Sequence, residues 1–285
     1  MRVAYLGPAG TFSEEAVRSS GFAESGFEPV ICQTIPEVIE TLAEGRSDRA
    51  MVPVENSIEG SVRSSLDALV EARDEVVIVG EFEQEIHSAL IARPGSSLGQ
   101  IKVVTSHPQA LAQCARFLRE SLPDAEQRIA PSTTAAIREV AESEGELAAL
   151  GPAGAAELYD CTVLMNDVED LPGNVTRFAW LAPAGTTGGD RRTDDWKTTL
   201  VFSELGSDHP GALVEALVEF SGRGINLVRI ESRPQKGVLG RYLFFIDIEG
   251  TPDDEPVAEA LEGLRTKADS VFVLGSYPRA GTQSA

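Results

Sequence analysis

Positive charge is what this 285-residue chain lacks most. Its 24 lysines and arginines, only four of them lysine, stand against 45 aspartates and glutamates, for a formal charge of −21. Such a surface repels phosphates, which excludes nucleic acid and anionic membranes as partners. It also opposes an anionic substrate at long range, so a carboxylate site must build local positive potential from helix N-termini and a few arginines. No apolar run approaches the ~20 residues of a membrane span, and the first, Val3–Leu6, is too short for a signal-peptide core. Cysteine is scarce. Cys32, Cys114 and Cys161 are odd in number, far apart and without a C-x-x-C pair, the pattern of free thiols in a reducing, cytoplasmic setting. His87, His107 and His209 have no second ligand at metal spacing, so no metal is expected. A P-loop and a G-x-G-x-x-G fingerprint are both absent, and no nucleotide cofactor is expected.

What is present is enough for two packed units: 42% hydrophobic and 24% charged residues, at a length of about two domains. Up to residue 182, short apolar strands alternate with helical patterns, which predicts an α/β module with mostly parallel strands. Strands are expected at Val3–Leu6, Arg49–Val54, Val76–Phe82, His87–Ala92, Lys102–Thr105, Leu147–Leu150 and Thr176–Leu181. Helices are expected to open near Ser13, Pro36, Ser61, Pro108, Thr134 and Ala153. Residues 183–195, rich in Gly, Thr and charge, read as a linker. Residues 196–277 then give strand, helix, two strands, helix, strand. The helices carry the stripes Leu213, Ala216, Leu217, Phe220 and Val257, Ala260, Leu261, Leu264. This order is the ferredoxin-like βαββαβ arrangement. The small, polar tail 278–285 is expected to be frayed.

Three strand ends run straight into helix starts. Leu6 leads into Gly7-Pro8-Ala9-Gly10-Thr11, where Thr11 and Glu14 fit a capping box; Thr105 leads into Ser106-His107-Pro108-Gln109, with Ser106 and Gln109 in the same relation; Leu150 leads into a second Gly-Pro-Ala-Gly at 151–154. Each alone is an ordinary turn, but three in one module predict a carboxylate-binding cleft. Between Val52 and Val62 a strand ends in Glu55, Asn56 and Ser57. A third polar stretch enters Thr176-Arg177-Phe178, where strand alternation puts Thr176 and Phe178 on one face and Arg177 on the other. Taken alone, Arg177 neutralises the acidic run before it. Gly95–Gly99 fits G-x-S-x-G but leads into a strand, so it is no nucleophile elbow. Asn174-Val175-Thr176 fits a glycosylation sequon that has no meaning in the cytoplasm.

Taken in order, Gly7–Ser13, Val52–Val62, Ser106–Gln109 and Thr176–Phe178 closely resemble the prephenate dehydratases. The 196–277 region resembles an ACT domain, with Gly211-Ala212-Leu213-Val214 and Glu231-Ser232-Arg233-Pro234 matching that family's two phenylalanine-binding motifs. The resemblance implies a two-lobed catalytic module like the type II periplasmic binding proteins over 1–182. Lobe one would be 1–80 with 161–182, and lobe two 81–160, followed by the ACT domain. No chorismate mutase helix precedes Met1, so a monofunctional enzyme is expected. The implied reaction removes water and carbon dioxide from prephenate to give phenylpyruvate, without a cofactor. Thr176 matches the family's catalytic threonine. Asn56, Ser106 and Gln113 match polar cleft positions, Glu55 is a candidate acid, and Arg177 is a candidate carboxylate partner. Gly10, Thr11 and Phe178 are expected to contact substrate. Phenylalanine is the expected effector, held between ACT domains of a homodimer or homotetramer. There Gly211 would allow close approach, Leu213 would form an apolar wall and Glu231 would meet the ammonium group. Two alternatives stay open: an arogenate dehydratase, acting on the transaminated analogue, or a catalytically silent carboxylate sensor on the same binding fold.

Overall fold

The computed structural model describes residues 1–21, 26–187, 195–205, 210–237 and 240–280. The chain opens with β1 (Arg2–Leu6), α1 (Phe12–Ser19), β2 (Glu28–Cys32), α2 (Ile35–Ala43), β3 (Arg49–Asn56), the two-residue β4 (Gly60–Ser61), α3 (Arg63–Glu71) and β5 (Val76–Glu85). It crosses to a second lobe of β6 (Ala89–Ala92), β7 (Val103–Ser106), α4 (Pro108–Gln113), α5 (Ala115–Ser121), β8 (Glu126–Ile129), α6 (Thr133–Glu142), β9 (Leu147–Gly151), α7 (Gly154–Leu158) and β10 (Thr162–Met165). It returns through β11 (Val175–Pro183). The last domain is β12 (Trp196–Leu205), α8 (Ala212–Ser221), β13 (Leu227–Pro234), β14 (Tyr242–Glu249), α9 (Glu255–Arg265) and β15 (Ala268–Pro278), the expected βαββαβ order. No described helix is long and apolar enough to cross a membrane.

Local chemistry explains the helices. In α2, Thr34 Oγ1 accepts from Glu37 N–H at 3.3 Å, Glu37 reaches back to the Gln33 N–H at 2.7 Å, and Pro36 sits in the first turn. Ile35, Val38, Ile39 and Leu42 then fall on one buried stripe. At α4 the expected Ser106–Gln109 cap is replaced. His107 is the cap, its Nδ1 accepting from the Gln109 N–H at 3.3 Å.

Lobe two has a five-stranded sheet, β10-β6-β9-β7-β8. Because β10 pairs with β6, residues 162–165 belong to lobe two, and because β5 continues to Glu85 the first crossover falls after 85, not at 80. Lobe one contributes β5-β11-β3-β1-β2, and here the structure departs from a picture of two units on a string. The ACT strands continue the same sheet, in the order β13-β14-β12-β15-β5. At the junction β15 meets β5 in parallel through Gly275 and Ile78. A Cβ on Gly275 would lie 2.2 Å from the Ile78 carbonyl oxygen, so only glycine allows this approach. Val201, Phe245, Leu274 and Tyr277 of the ACT domain share one buried cluster with Ile39, Leu42 and Leu69 of lobe one. The opposite face of lobe one packs Tyr5, Phe178 and Trp180 beneath α1.

The linker and tail are correspondingly more ordered than expected at their described ends. β11 runs through Pro183, and the Ala184 N–H bonds the Glu75 carbonyl at 2.8 Å. The Arg279 N–H reaches the Asp195 carbonyl at 3.1 Å, and the Ala280 N–H reaches Glu81 at 2.9 Å. Residues 188–194 and 281–285, and His209, lie outside the described residues.

Candidate active site

Strand β11 enters the sheet between β3 and β5, placing Thr176 opposite Asn56 and Gln84. The Asn56 amide is fixed at both ends. Its Oδ1 accepts from the N–H groups of Ile58 and Glu59, both at 3.0 Å, so its NH2 must face the other way. There Nδ2 donates to Thr176 Oγ1 at 2.9 Å and to Asn174 Oδ1 at 2.7 Å. Asn174 Nδ2 in turn donates to Gln113 Oε1 across the lobes at 3.4 Å. Gln113 Nε2 is buried and has no acceptor among the described residues. Ser57 clasps the same corner: its N–H donates to the Val175 carbonyl at 2.8 Å, and its Oγ accepts from the Val175 N–H at 2.9 Å.

This constellation brings Thr176, Asn56 and Gln113 together and adds Asn174, which sequence reading left as an idle sequon. The signal was its spacing: two residues before Thr176, it falls on the same side of an extended chain. Thr176 itself is partly exposed. Its oxygen accepts from an amide whose orientation cannot reverse, so its own O–H is left to donate elsewhere.

Other expected site residues lie elsewhere. Glu55 and Arg177 alternate away from Asn56 and Thr176 and face the ACT domain. Arg177 donates to Glu55 at 2.9 Å, Glu81 at 3.1 Å and Asp247 at 3.1 Å. Neither faces the Thr176 corner, because strand period two sends neighbouring side chains to opposite faces. Burial works against the Arg177 charge, but the attraction of Asp247 and Glu81 outweighs it and raises its pKa. Burial likewise opposes the Glu81 charge, and Lys197 and Arg177 overcome it, holding the carboxyl below its ordinary value. Phe178 is core, 2% exposed beneath α1, and cannot touch a ligand without unpacking. Ser106 is fully buried and donates to the Leu150 carbonyl at 2.7 Å.

The two Gly-Pro-Ala-Gly loops do meet, one from each lobe, around a cavity of about 490 Å³ lined by Gly10, Thr11, Pro152 and Ala155. Thr176 is not part of that lining. Gly10 has φ +82°, and a Cβ there would press Ala155 at 3.1 Å and Leu158 at 3.2 Å. Its N–H donates to Glu14 at 2.7 Å and its carbonyl accepts from Thr134 at 3.3 Å. Thr11 caps α1 and donates to the Leu6 carbonyl at 3.0 Å. Gly10 therefore joins the lobes and its N–H is already engaged by Glu14, whereas the bonds of the Thr11 hydroxyl stay within lobe one.

In the ACT domain Gly211 caps α8 with φ +101°, and Val214 is 63% exposed. Glu231 accepts from Ser61 at 2.7 Å and Arg233 pairs with Asp67 at 2.8 Å, so this motif's charged side chains point at the catalytic module of the same chain.

His87 is isolated only in sequence. It lies in the first crossover, with its Nδ1 2.9 Å from Glu169 and 3.4 Å from Asp167 of the second, and its Nε2 3.3 Å from Glu85. The donors of His87, Asp167 and Glu169 gather within 4.8 Å, close enough for a cation, although a protonated imidazole satisfies the same carboxylates. The hydrogen bond to Glu169 leads in raising the His87 pKa, against the opposing effect of burial. Glu15 of α1 also feels this charge. A raised folded pKa adds stability that is complete below the unfolded value, near 6.5, and is lost as pH rises through the folded value. Wild type is therefore expected to melt about 1–3 °C above His87→Gln at pH 5.5, with the gap closing by pH 9. Paired thermal melts at the two pH values check this; a gap unchanged at pH 9 contradicts it.

Comparison with known proteins supplies context. Residues 3–186 match the prephenate dehydratase family model and residues 199–266 the ACT domain model. The chain is 41% identical to a prephenate dehydratase from Mycolicibacterium smegmatis, over 100% of this chain and 91% of that protein. A solved prephenate dehydratase from Arthrobacter aurescens, in complex with L-Phe, superposes with TM-score 0.90 at 39% identity, covering 100% of this chain and 92% of the other. A solved chain described as GqqA, a novel type of quorum quenching acylase, superposes with TM-score 0.87 at 32% identity, each covered over 100%.

Proposed function

Because the chain belongs to the prephenate dehydratase family, decarboxylating hydro-lyases, we propose that Thr176 is the group that assists departure of the ring hydroxyl. Prephenate carries a ring carboxylate, a pyruvyl carboxylate and that hydroxyl. The ring C–C bond to the carboxylate breaks and CO2 leaves. The bonding pair flows into the ring, and the C–O bond on the far side breaks. The departing oxygen needs one proton to become water. Aromatisation drives the step, so the protein's task is to orient the dianion and assist the departing oxygen. The Thr176 hydroxyl hydrogen-bonds that oxygen or relays to it a proton from water, regaining one as it gives one.

The observation that carries this reading is the locked Asn56 amide, which makes Thr176 Oγ1 an acceptor and leaves its O–H to donate to a ligand. The Gln113 Nε2, a buried donor without a protein acceptor, is the complementary group for a substrate oxygen. With Arg177 engaged elsewhere, the positive ends of α1 and α6 remain to hold the carboxylates once the Gly10 contacts open. Acylase chemistry gains no support: among the described residues no hydroxyl or thiol hydrogen-bonds a histidine ring.

L-Phenylalanine is the proposed effector, bound at Gly211–Val214 where ACT domains of two subunits pair. The Glu231–Pro234 strand beside it would exchange the Ser61 and Asp67 contacts of Glu231 and Arg233 for the ligand. The exposed Val214 and Val218 on α8 suit such an interface. Three unpaired thiols, with Cys114 pushed up to about 12 by burial, suit a reducing cytoplasm. One assay tests the whole reading. Purified protein should release phenylpyruvate from prephenate with a higher kcat/KM than it shows for arogenate. L-Phenylalanine should bind in calorimetry and change that kcat/KM at least about fivefold, an allosteric coupling at the low end of the usual range. Preference for arogenate would move the substrate assignment, and absence of binding heat would remove the effector.

A further inference from the structure

Thr176 and Arg177 are neighbours on β11 that face different domains, and the ladder between them and β3 is irregular. Thr176 lies opposite Asn56 and Arg177 opposite Glu55, and the register slips by one residue directly after Arg177. The extra residue is Val54 of β3, so the ladder is loose on that edge of β11, while its other edge keeps register with β5 from Val175 to Trp180. On the loose edge the side chain of Arg177 ties β11 to Glu55 of β3, and its planar fork of donors also reaches Glu81 and Asp247.

Two of those carboxylates are set by the C-terminal domain. Glu81 is gripped by Lys197 Nζ at 2.7 and 2.8 Å and by the Ala280 N–H. Asp247 belongs to the C-terminal domain itself; it accepts from Thr199 Oγ1 at 2.8 Å, and Thr199 is bonded to Tyr277 OH at 2.7 Å. The side chains of Asp247, Glu81, Lys197 and Arg177 are 1%, 2%, 8% and 11% exposed, so solvent cannot replace a lost partner.

We infer that Asp247 and Lys197, although they belong to the ACT domain, are positioning residues for the reaction at Thr176, acting through Arg177. This rests on Thr176 being the reacting hydroxyl. Loss of either residue leaves the Arg177 fork unbalanced, lets β11 shift against the β3 bulge at Val54, and moves Thr176 relative to the Asn56 amide. A displacement on the order of 1 Å in a reacting group costs about 10²-fold in rate.

The test is a double-mutant cycle on the full-length protein. Asp247→Asn and Lys197→Gln should each lower kcat for prephenate by about 10–100-fold with KM within about threefold. Thr199→Val, a milder change that loosens Asp247 while keeping side-chain shape, should lower it by a few fold. In a Thr176→Ala background, Asp247→Asn should change the residual kcat by less than about twofold, because there is no hydroxyl left to misplace. The inference is overturned if these variants, shown folded at the assay temperature by circular dichroism, keep kcat within twofold of wild type. Equal losses in both backgrounds overturn it as well. Near-normal turnover by Thr176→Ala alone would instead remove the reading of Thr176, and this inference with it.

Discussion

Thr176→Ala is expected to fold normally and lose about 10²–10⁴ in kcat, which corresponds to roughly 3–5.5 kcal/mol of transition-state stabilisation. The reason lies in how few groups can deliver a proton at that corner. Asn56 presents an amide NH2 that can only donate, whereas the Thr176 hydroxyl both accepts and donates and so can relay a proton from water without ionising. Glu55 and Arg177 face the ACT domain, and Phe178 is buried. Thr176→Val separates chemistry from shape: it keeps the branched side chain and should fall as far as alanine. Thr176→Ser restores the hydroxyl and should recover most of the rate. Steady-state kinetics on the three variants, with melting curves to establish folding, decide the matter. A valine variant near wild-type turnover would show that the hydroxyl does nothing.

The second large effect concerns stability. Arg177→Met is expected to destabilise the protein by about 3–5 kcal/mol, because it takes the shared guanidinium from the buried Glu81 and Asp247 carboxylates and leaves Lys197 on Glu81 alone. For a chain of this size that is a fall in Tm on the order of 10 °C. Buried charges are poorly screened, so added salt should not rescue it. The loss should also depend on pH. The Glu81 pKa is depressed in the folded state, so its contribution is present above the unfolded value and disappears as pH falls through the folded one. The gap between wild type and Arg177→Met should therefore narrow in acid. Thermal melts between pH 7 and pH 4 test this, and a Tm within 3 °C of wild type at pH 7 would show that the network contributes little.

The sequence was most readable where burial imposes a pattern. Both ACT helices and the central strands β1, β3, β7 and β9 announce themselves through apolar spacing. The strands that escaped notice, β2, the two-residue β4, β8 and β10, each pair on one side only. β8 (Glu126–Ile129) is exposed at all four residues, and β2 buries only Cys32. Backbone pairing defines such strands, and backbone pairing writes nothing into side-chain periodicity. At the site, alternation correctly separated Arg177 from Thr176, yet it could not reveal which partner lay on the far side. That partner, Asp247, is 70 residues away. Asn174 was hidden for a related reason: its value comes from Asn56, 118 residues earlier, and only the fold joins them. Phe178 shares the face of Thr176, but one step further into the sheet that face lies under α1 and is buried.

The Gly275 junction has a consequence for anyone who would recombine members of this family. A β-sheet that passes unbroken from one domain to the next offers no clean cut. Removing the C-terminal part would bare the β5 edge to foreign strands and leave Arg177 without Asp247. Chimeras joined between residues 183 and 195 should then fail unless the incoming half carries its own glycine and acid at these two places.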